Sequence, residues 1–121
     1  MSIKYDSHTE SILIRNFVGK VTYQDIIDSW EYLHKNKLIT KKIKGVINNF
    51  YDCELQMDLE SFKNVLSYIK KQDFLKTIKI AVVSDSPKII VFPFLANENQ
   101  GDLKIKPFST SEAAINWVLK N

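Results

Sequence analysis

Residues 76–83 carry the tightest constraint on the fold. Ile78, Ile80, Ala81, Val82 and Val83 form a near-continuous apolar run, the pattern of a strand buried on both faces at a central position of a parallel sheet. Further strand patterns lie at Ile3–Tyr5, Ser11–Phe17, Ile43–Phe50 and Leu103–Phe108. The polar connector Asp6-Ser7-His8-Thr9-Glu10 reads as a turn, so the first two strands should pair antiparallel. In the last strand Leu103 and Ile105 alternate with Lys104 and Lys106, as in a lysine-protected edge.

Helical spacing fills the intervals. Thr22 is a good N-cap, with Asp25 completing a near capping box. Tyr23, Ile26, Ile27, Trp30 and Leu33 then fall on one face. Asp58 caps a second helix whose stripe is Leu59, Phe62, Val65, Leu66 and Ile69. Both helices end in basic residues, which suits the helix dipole. Ser84-Asp85-Ser86-Pro87 opens a third, with Pro87 at the first helical position. Ile89–Ala96 is apolar on every side and contains Pro93, so a short or broken helix is expected there, with a strand as the alternative. Ser109 and Glu112 should cap a final helix burying Ala113, Ala114, Trp117 and Val118.

The order is β-β-α-β-α-β-α-β-α: an α/β fold with a mainly parallel mixed sheet and an antiparallel first strand. The 121 residues suit one domain over residues 1–121. No apolar run reaches the ~18–20 residues of a membrane span, so no transmembrane segment is expected. Met1–Asp6 turns polar at once and lacks a signal-peptide core, which makes the cytoplasm the expected compartment. The net charge of +3 comes from sixteen lysines and one arginine, Arg15, among fourteen acidic residues. Nucleic-acid readers lean on arginine, so this is a solubilising surface, and no nucleic acid is expected. The single Cys53 forms no internal disulfide, and no Cys/His pair has zinc-ligand spacing.

Three segments carry a resemblance: Gly19-Lys20-Val21-Thr22-Tyr23, Ile80-Ala81-Val82-Val83 with Ser86-Pro87, and Phe108-Ser109-Thr110-Ser111-Glu112-Ala113-Ala114 with Trp117. With the element order, they make the chain similar to the SpoIIAA-like fold of the STAS domains (sulfate-transporter and anti-sigma-factor-antagonist domains). It resembles in particular small bacterial STAS-like proteins with a phenylalanine before a capped helix ending in Ala-x-x-Trp. The resemblance implies a regulatory, anti-sigma-factor-antagonist-like module. In STAS regulators a phosphorylatable Ser or Thr opens the second helix in an Asp-Ser-Ser-Gly-like motif. Here Asp58 matches, Leu59 stands at the hydroxyl position, and the glycine is absent. Ser61, beside Glu60, is the remaining candidate for phosphorylation, although an added phosphate would meet repulsion there.

Candidate chemistry is sparse. Asp6, His8 and Glu10 alternate like metal ligands, but a polar hairpin produces the same spacing, and no metal site is expected. Asn48–Glu54 reads as a loop beyond a strand's carboxyl end, where open α/β sheets bind ligands. With Ser84 and Ser86 it makes a polar rim of Asn48, Asp52, Asp58, Ser84 and Ser86, whose amides suit an anion. The structural alternative is that these residues cap turns and helices. Cys53 has acidic neighbours and no nearby histidine, so it is a poor nucleophile. Gly19-Lys20-Val21-Thr22 lacks the full phosphate-loop pattern. No cofactor is implied.

Ile89–Leu95 carries more apolar surface than one helix face needs, notably at Ile90, Phe92 and Phe94. That surplus would serve a homodimer contact, a partner groove or the wall of an apolar ligand pocket, or simply be buried between helices. The expected function is non-enzymatic regulation or protein interaction. The first alternative is a module binding lipid or a small apolar ligand. The second is an enzyme using the strand-end loops.

Overall fold

The computed structural model describes residues 1–89 and 103–120. Five strands lie side by side in chain order: β1 (Ser2–His8), β2 (Ile12–Thr22), β3 (Gly45–Gln56), β4 (Lys79–Val83) and β5 (Lys104–Phe108). β1 runs antiparallel to β2, and every other pairing is parallel. The helices described are α1 (Tyr23–Lys35), α2 (Leu59–Lys70) and α3 (Ser111–Leu119), with a short 3-10 turn at Asp73–Leu75.

Strand alternation sends alternate side chains into two cores. On one face Phe17, Val21, Val46, Phe50, Ile80 and Ile105 pack beneath α1 and α2, which contribute Ile26, Trp30, Leu33, Phe62, Val65, Leu66 and Ile69. On the other face Ile12, Ile47, Ala81 and Val83 pack against Ala114 and Val118 of α3. β4 therefore feeds both cores, as its apolar run requires. β5 is an edge strand with Ile105 buried and Lys104 and Lys106 exposed, as expected.

Local signals placed the helix starts. Thr22 Oγ1 accepts from the Asp25 amide at 3.2 Å, and the Asp25 carboxylate accepts from the Thr22 amide at 2.9 Å. Asp58 caps α2 by accepting from the Ser61 amide at 2.8 Å. The final helix starts one residue later than expected, because Thr110, not Ser109, accepts from the Ala113 amide. That shift leaves Ala113 exposed and Trp117 half-buried, while Ala114 and Val118 are buried. Leu59, the first residue of α2, is also exposed.

Three strands outrun their sequence patterns. β1 continues through Asp6, Ser7 and His8, and the reversal is confined to Thr9–Ser11, with Thr9 at φ 59°. β2 and β3 continue as a parallel ribbon after a register shift, Val18 to Thr22 pairing with Asp52 to Gln56. β4 pairs with β3 only as far as Asn49, so this ribbon has one neighbour fewer and tolerates polar residues. Residues 87–89 have helical backbone, as Pro87 suggested. Ile90, Phe92, Phe94 and the rest of the apolar run lie outside the described residues.

At Gly45 α3 packs tightly on the sheet. A Cβ there would sit 2.6 Å and 2.8 Å from the two Val118 methyls and 2.9 Å from the Lys79 carbonyl. Gly45→Ala should therefore lower unfolding stability by about 2 kcal/mol through overpacking. Urea denaturation followed by circular dichroism checks this, with the midpoint falling and the slope unchanged.

Candidate functional site

The side chain that organises the helical-layer core is Arg15. Leu13, Arg15 and Phe17 point to the same face of β2, which places a guanidinium among Phe17, Trp30 and Phe50. Arg15 is 0% exposed. Its Nε and Nη2 both donate to Asn48 Oδ1, at 2.9 Å and 2.6 Å. Asn48 is its register partner on β3 and is itself buried. Nη1 donates to Ser29 Oγ of α1 at 2.7 Å, and that hydroxyl donates on to the Ile26 carbonyl at 2.6 Å. Asn48 Nδ2 donates to the Ala81 carbonyl at 3.0 Å, which extends the network to β4.

The guanidinium carbon lies 4.0 Å from the centroid of the Trp30 ring and 5.0 Å from that of Phe17, within cation–π range. Among the described residues no carboxylate pairs with it. Burial draws its pKa down to about 9, which still leaves a cation at neutral pH; guanidinium holds its proton tenaciously.

A cavity of about 50 Å³ lies between the sheet and the α1–α2 layer. Its walls are apolar side chains of β3, β4, β5, α1 and α2, with Ile89 after β4. Among the described residues, Arg15 and Asn48 are the polar ones in its lining. This is an apolar cavity with Arg15 in its lining, and among the described residues it offers no acid–base or nucleophile pair.

The expected polar rim is not assembled as expected. Asn48 belongs to the buried network and not to a loop. Asp52 lies within β3, exposed and paired in register with Val18, because the predicted loop is strand through Gln56. Asp58 is an exposed helix cap whose carboxyl is held below the usual range by the Ser61 amide, with Lys88 adding to the effect. Ser84 is buried, with its amide bonded to the Phe108 carbonyl and its Oγ accepting from the Ser86 amide. Ser86 and Ser61 are half-buried. Asp6 and His8 are exposed on β1, and no group of metal-ligating residues converges among the described residues. Gly19–Thr22 is part of β2, not a phosphate loop.

Cys53 is half-buried, and burial, reinforced by Asp52, pushes its thiol up to about 11. A thiol so protonated is a poor nucleophile at neutral pH. Arg15 and Ser29 were not among the sequence candidates. The signal was present for Arg15, since it sits midway between two inward-facing apolar residues of an alternating strand.

Neither a family model nor a curated protein matches the sequence. Solved structures do match. An uncharacterised DUF3478-family protein from Shewanella loihica PV-4, described as having a SpoIIAA-like fold, aligns with a TM-score of 0.64 at 19% identity, over 97% of this chain and 92% of that one. The anti-sigma factor antagonist SpoIIAA in its unphosphorylated form aligns at 0.56 and 14% identity, over 97% of each chain. The Bacillus cell fate determinant SpoIIAA in its phosphorylated form aligns at 0.57 and 14%, over 97% of this chain and 99% of that one. The chain has the SpoIIAA-like fold. The STAS-like resemblance thus holds at the level of architecture, and among the described residues no helix is long and apolar enough to cross a membrane.

The SpoIIAA-like sheet here depends on Asn48 to satisfy the buried guanidinium. Asn48→Ala should cost about 3 kcal/mol, because it strands a buried charged donor. The double variant Arg15→Met with Asn48→Leu removes donor and acceptor together and should recover most of that loss. Chemical denaturation of the parent, Asn48→Ala and the double variant provides the comparison, and a double variant no more stable than Asn48→Ala would contradict the coupling.

Proposed function

We propose that this protein is a non-enzymatic binding module that takes a small, mainly apolar ligand between the sheet and the α1–α2 layer. The observation that carries this reading is the cavity of about 50 Å³ with apolar walls and Arg15 in its lining. Apolar walls with a few polar groups among them are the lining that small-molecule sites share. Catalysis has less support: Cys53 is held as a thiol, and the strand-end residues serve as caps and ladder partners. Xenon, which occupies dry apolar cavities, tests the reading. Under xenon pressure the methyl NMR signals of Val65, Leu66, Ile69, Ile80, Val82 and Ile105 should shift saturably, while those of Ile12, Ile47 and Val118 on the opposite face stay unmoved. Uniform or non-saturating shifts would remove the basis for a cavity-binding role.

A second reading is a regulatory protein-contact module. It draws on the likeness to SpoIIAA, which is described as an anti-sigma factor antagonist and is known in phosphorylated and unphosphorylated forms. On this reading the surface at the start of α2, around Asp58 and Ser61, would meet the partner. Ser84 is buried, which leaves Ser61 and Ser86 as the accessible acceptors among the candidates. Phosphopeptide mapping of the protein from its native host should find phosphate on Ser61 or Ser86. Its absence in both growing and stressed cells would discard the switch.

A further inference from the structure

We propose that the outer edge of β1 is a self-association surface. Two copies of this chain pair antiparallel along it, centred on Tyr5, and join their two five-stranded sheets into one. No residue of β1 lines the cavity, so the inference stands apart from the binding reading above.

β1 ends the sheet, with β2 on one side and no strand on the other among the described residues. Ile89 and Leu103, which flank residues 90–102, follow β4 and precede β5 at the opposite end. A strand at a sheet edge presents a row of N–H and C=O groups to any chain that can pair with it, and such edges are ordinarily guarded. β5 has the usual guards, Lys104, Lys106 and Pro107. β1 has no proline, and all seven of its residues except Ile3 are exposed. Its charges are one lysine and one aspartate, Lys4 and Asp6, and neither forms an ion pair among the described residues. Asp6 uses Oδ1 on the Ser7 amide at 2.8 Å, and its second oxygen remains for a cation.

The spacing of these charges selects the partner. In a two-fold antiparallel pair, opposed residues share a face, so the strand centres on one residue that meets its own copy. Centred on Tyr5, all seven residues of β1 find partners, and Lys4 of each copy stands opposite Asp6 of the other. Centred on Lys4 or Asp6, like charges meet, which is destabilising. Centred on Ile3 or Ser7, the strands overlap by less than half their length. On the other face of β1 the Tyr5 ring lies 5.8 Å from that of Tyr32 on α1, and the two side chains are 41% and 49% exposed. Tyr5-centred pairing sets the two Tyr5 residues opposite each other with Cβ atoms about 5 Å apart. Each is backed by its own Tyr32, so aromatic surface left open in one copy is covered in two. A foreign strand fits this edge only if it carries the same charges at the same spacing; a second copy carries them by symmetry.

Sedimentation equilibrium of the full chain should show reversible association from 14.1 kDa to twice that mass. Amide NMR shifts should change with concentration at residues 2–8 and at Tyr32. Lys4→Asp and Asp6→Lys each set like charges opposite each other at both ends of the pair, and each should weaken association by about 10-fold. An equimolar mixture of the two variants restores both charge pairs in the mixed dimer, which should be at least as tight as the parent. A parent that stays monomeric up to about 1 mM overturns the inference and leaves the edge to a strand of a different protein. Variants that associate like the parent, or a mixture no tighter than either variant alone, overturn it as well. Concentration-dependent shifts confined to residues outside β1 and Tyr32 do the same without recourse to any variant.

Discussion

A single buried cation ties together four elements of this protein. Arg15 leaves β2, takes its acceptor from Asn48 on β3, stacks on Trp30 and bonds to Ser29 of α1, while Asn48 reaches the backbone of β4. Each contact alone is modest in water. In an apolar interior the same contacts are strong, and their absence would be costly. The arrangement fixes the register of β2 against β3 and the seat of α1 on the sheet. A one-residue slip of β2 would turn Arg15 outward and bring Ile14 or Asn16 into its place. The register and the charge are thus mutually dependent.

The local parts of this architecture are legible in the amino-acid sequence. Thr22 with Asp25, and Asp58 with the Ser61 amide, are short-range contacts that depend on residues three apart. The doubly buried β4 is legible for a similar reason, since an apolar run of that length has few other uses. Strand ends are much less so. Asp52 and Glu54 look like loop residues because they are polar, yet they form ladder positions where β3 has β2 alone beside it. Pairing across more than thirty intervening residues decides that outcome, and no local pattern encodes it. Ser109 and Thr110 show the same limit on a smaller scale: both can cap, and packing of Ala114 and Val118 on the sheet selects between them.

Arg15 falls between these cases. Its place between Leu13 and Phe17 sends it inward by strand periodicity alone. Residue type argues the other way, since a lone arginine among sixteen lysines is easily assigned to the solvated surface. Asn48, between Val46 and Phe50 on the same face of β3, carries the matching signal. Two polar residues at inward positions of adjacent strands are a local violation of core patterning, and such violations concentrate at functional sites. The candidate site is therefore legible in the exceptions to the pattern that reveals the fold.

The architecture also bears on what kind of function the site can have. Catalysis needs groups that exchange protons or electrons with a substrate, and Arg15, Asn48 and Ser29 are poorly suited to either. The Arg15 guanidinium, its pKa drawn down to about 9 by burial, still keeps its proton at neutral pH. Asn48 and Ser29 are already engaged on both sides of their hydrogen-bonding capacity. Under the proposed binding reading, a fixed charge beside apolar walls would hold a ligand without transforming it. On the same reading, occupation of the cavity would stabilise the folded state by mass action, with Trp30 of α1 and Asn48 of β3 both in its lining. A ligand between Ile26 and Trp30 of α1 and Ile80 of β4 would thereby tighten α1 against the sheet, so occupancy of the interior would be expressed in how firmly the helical layer is held.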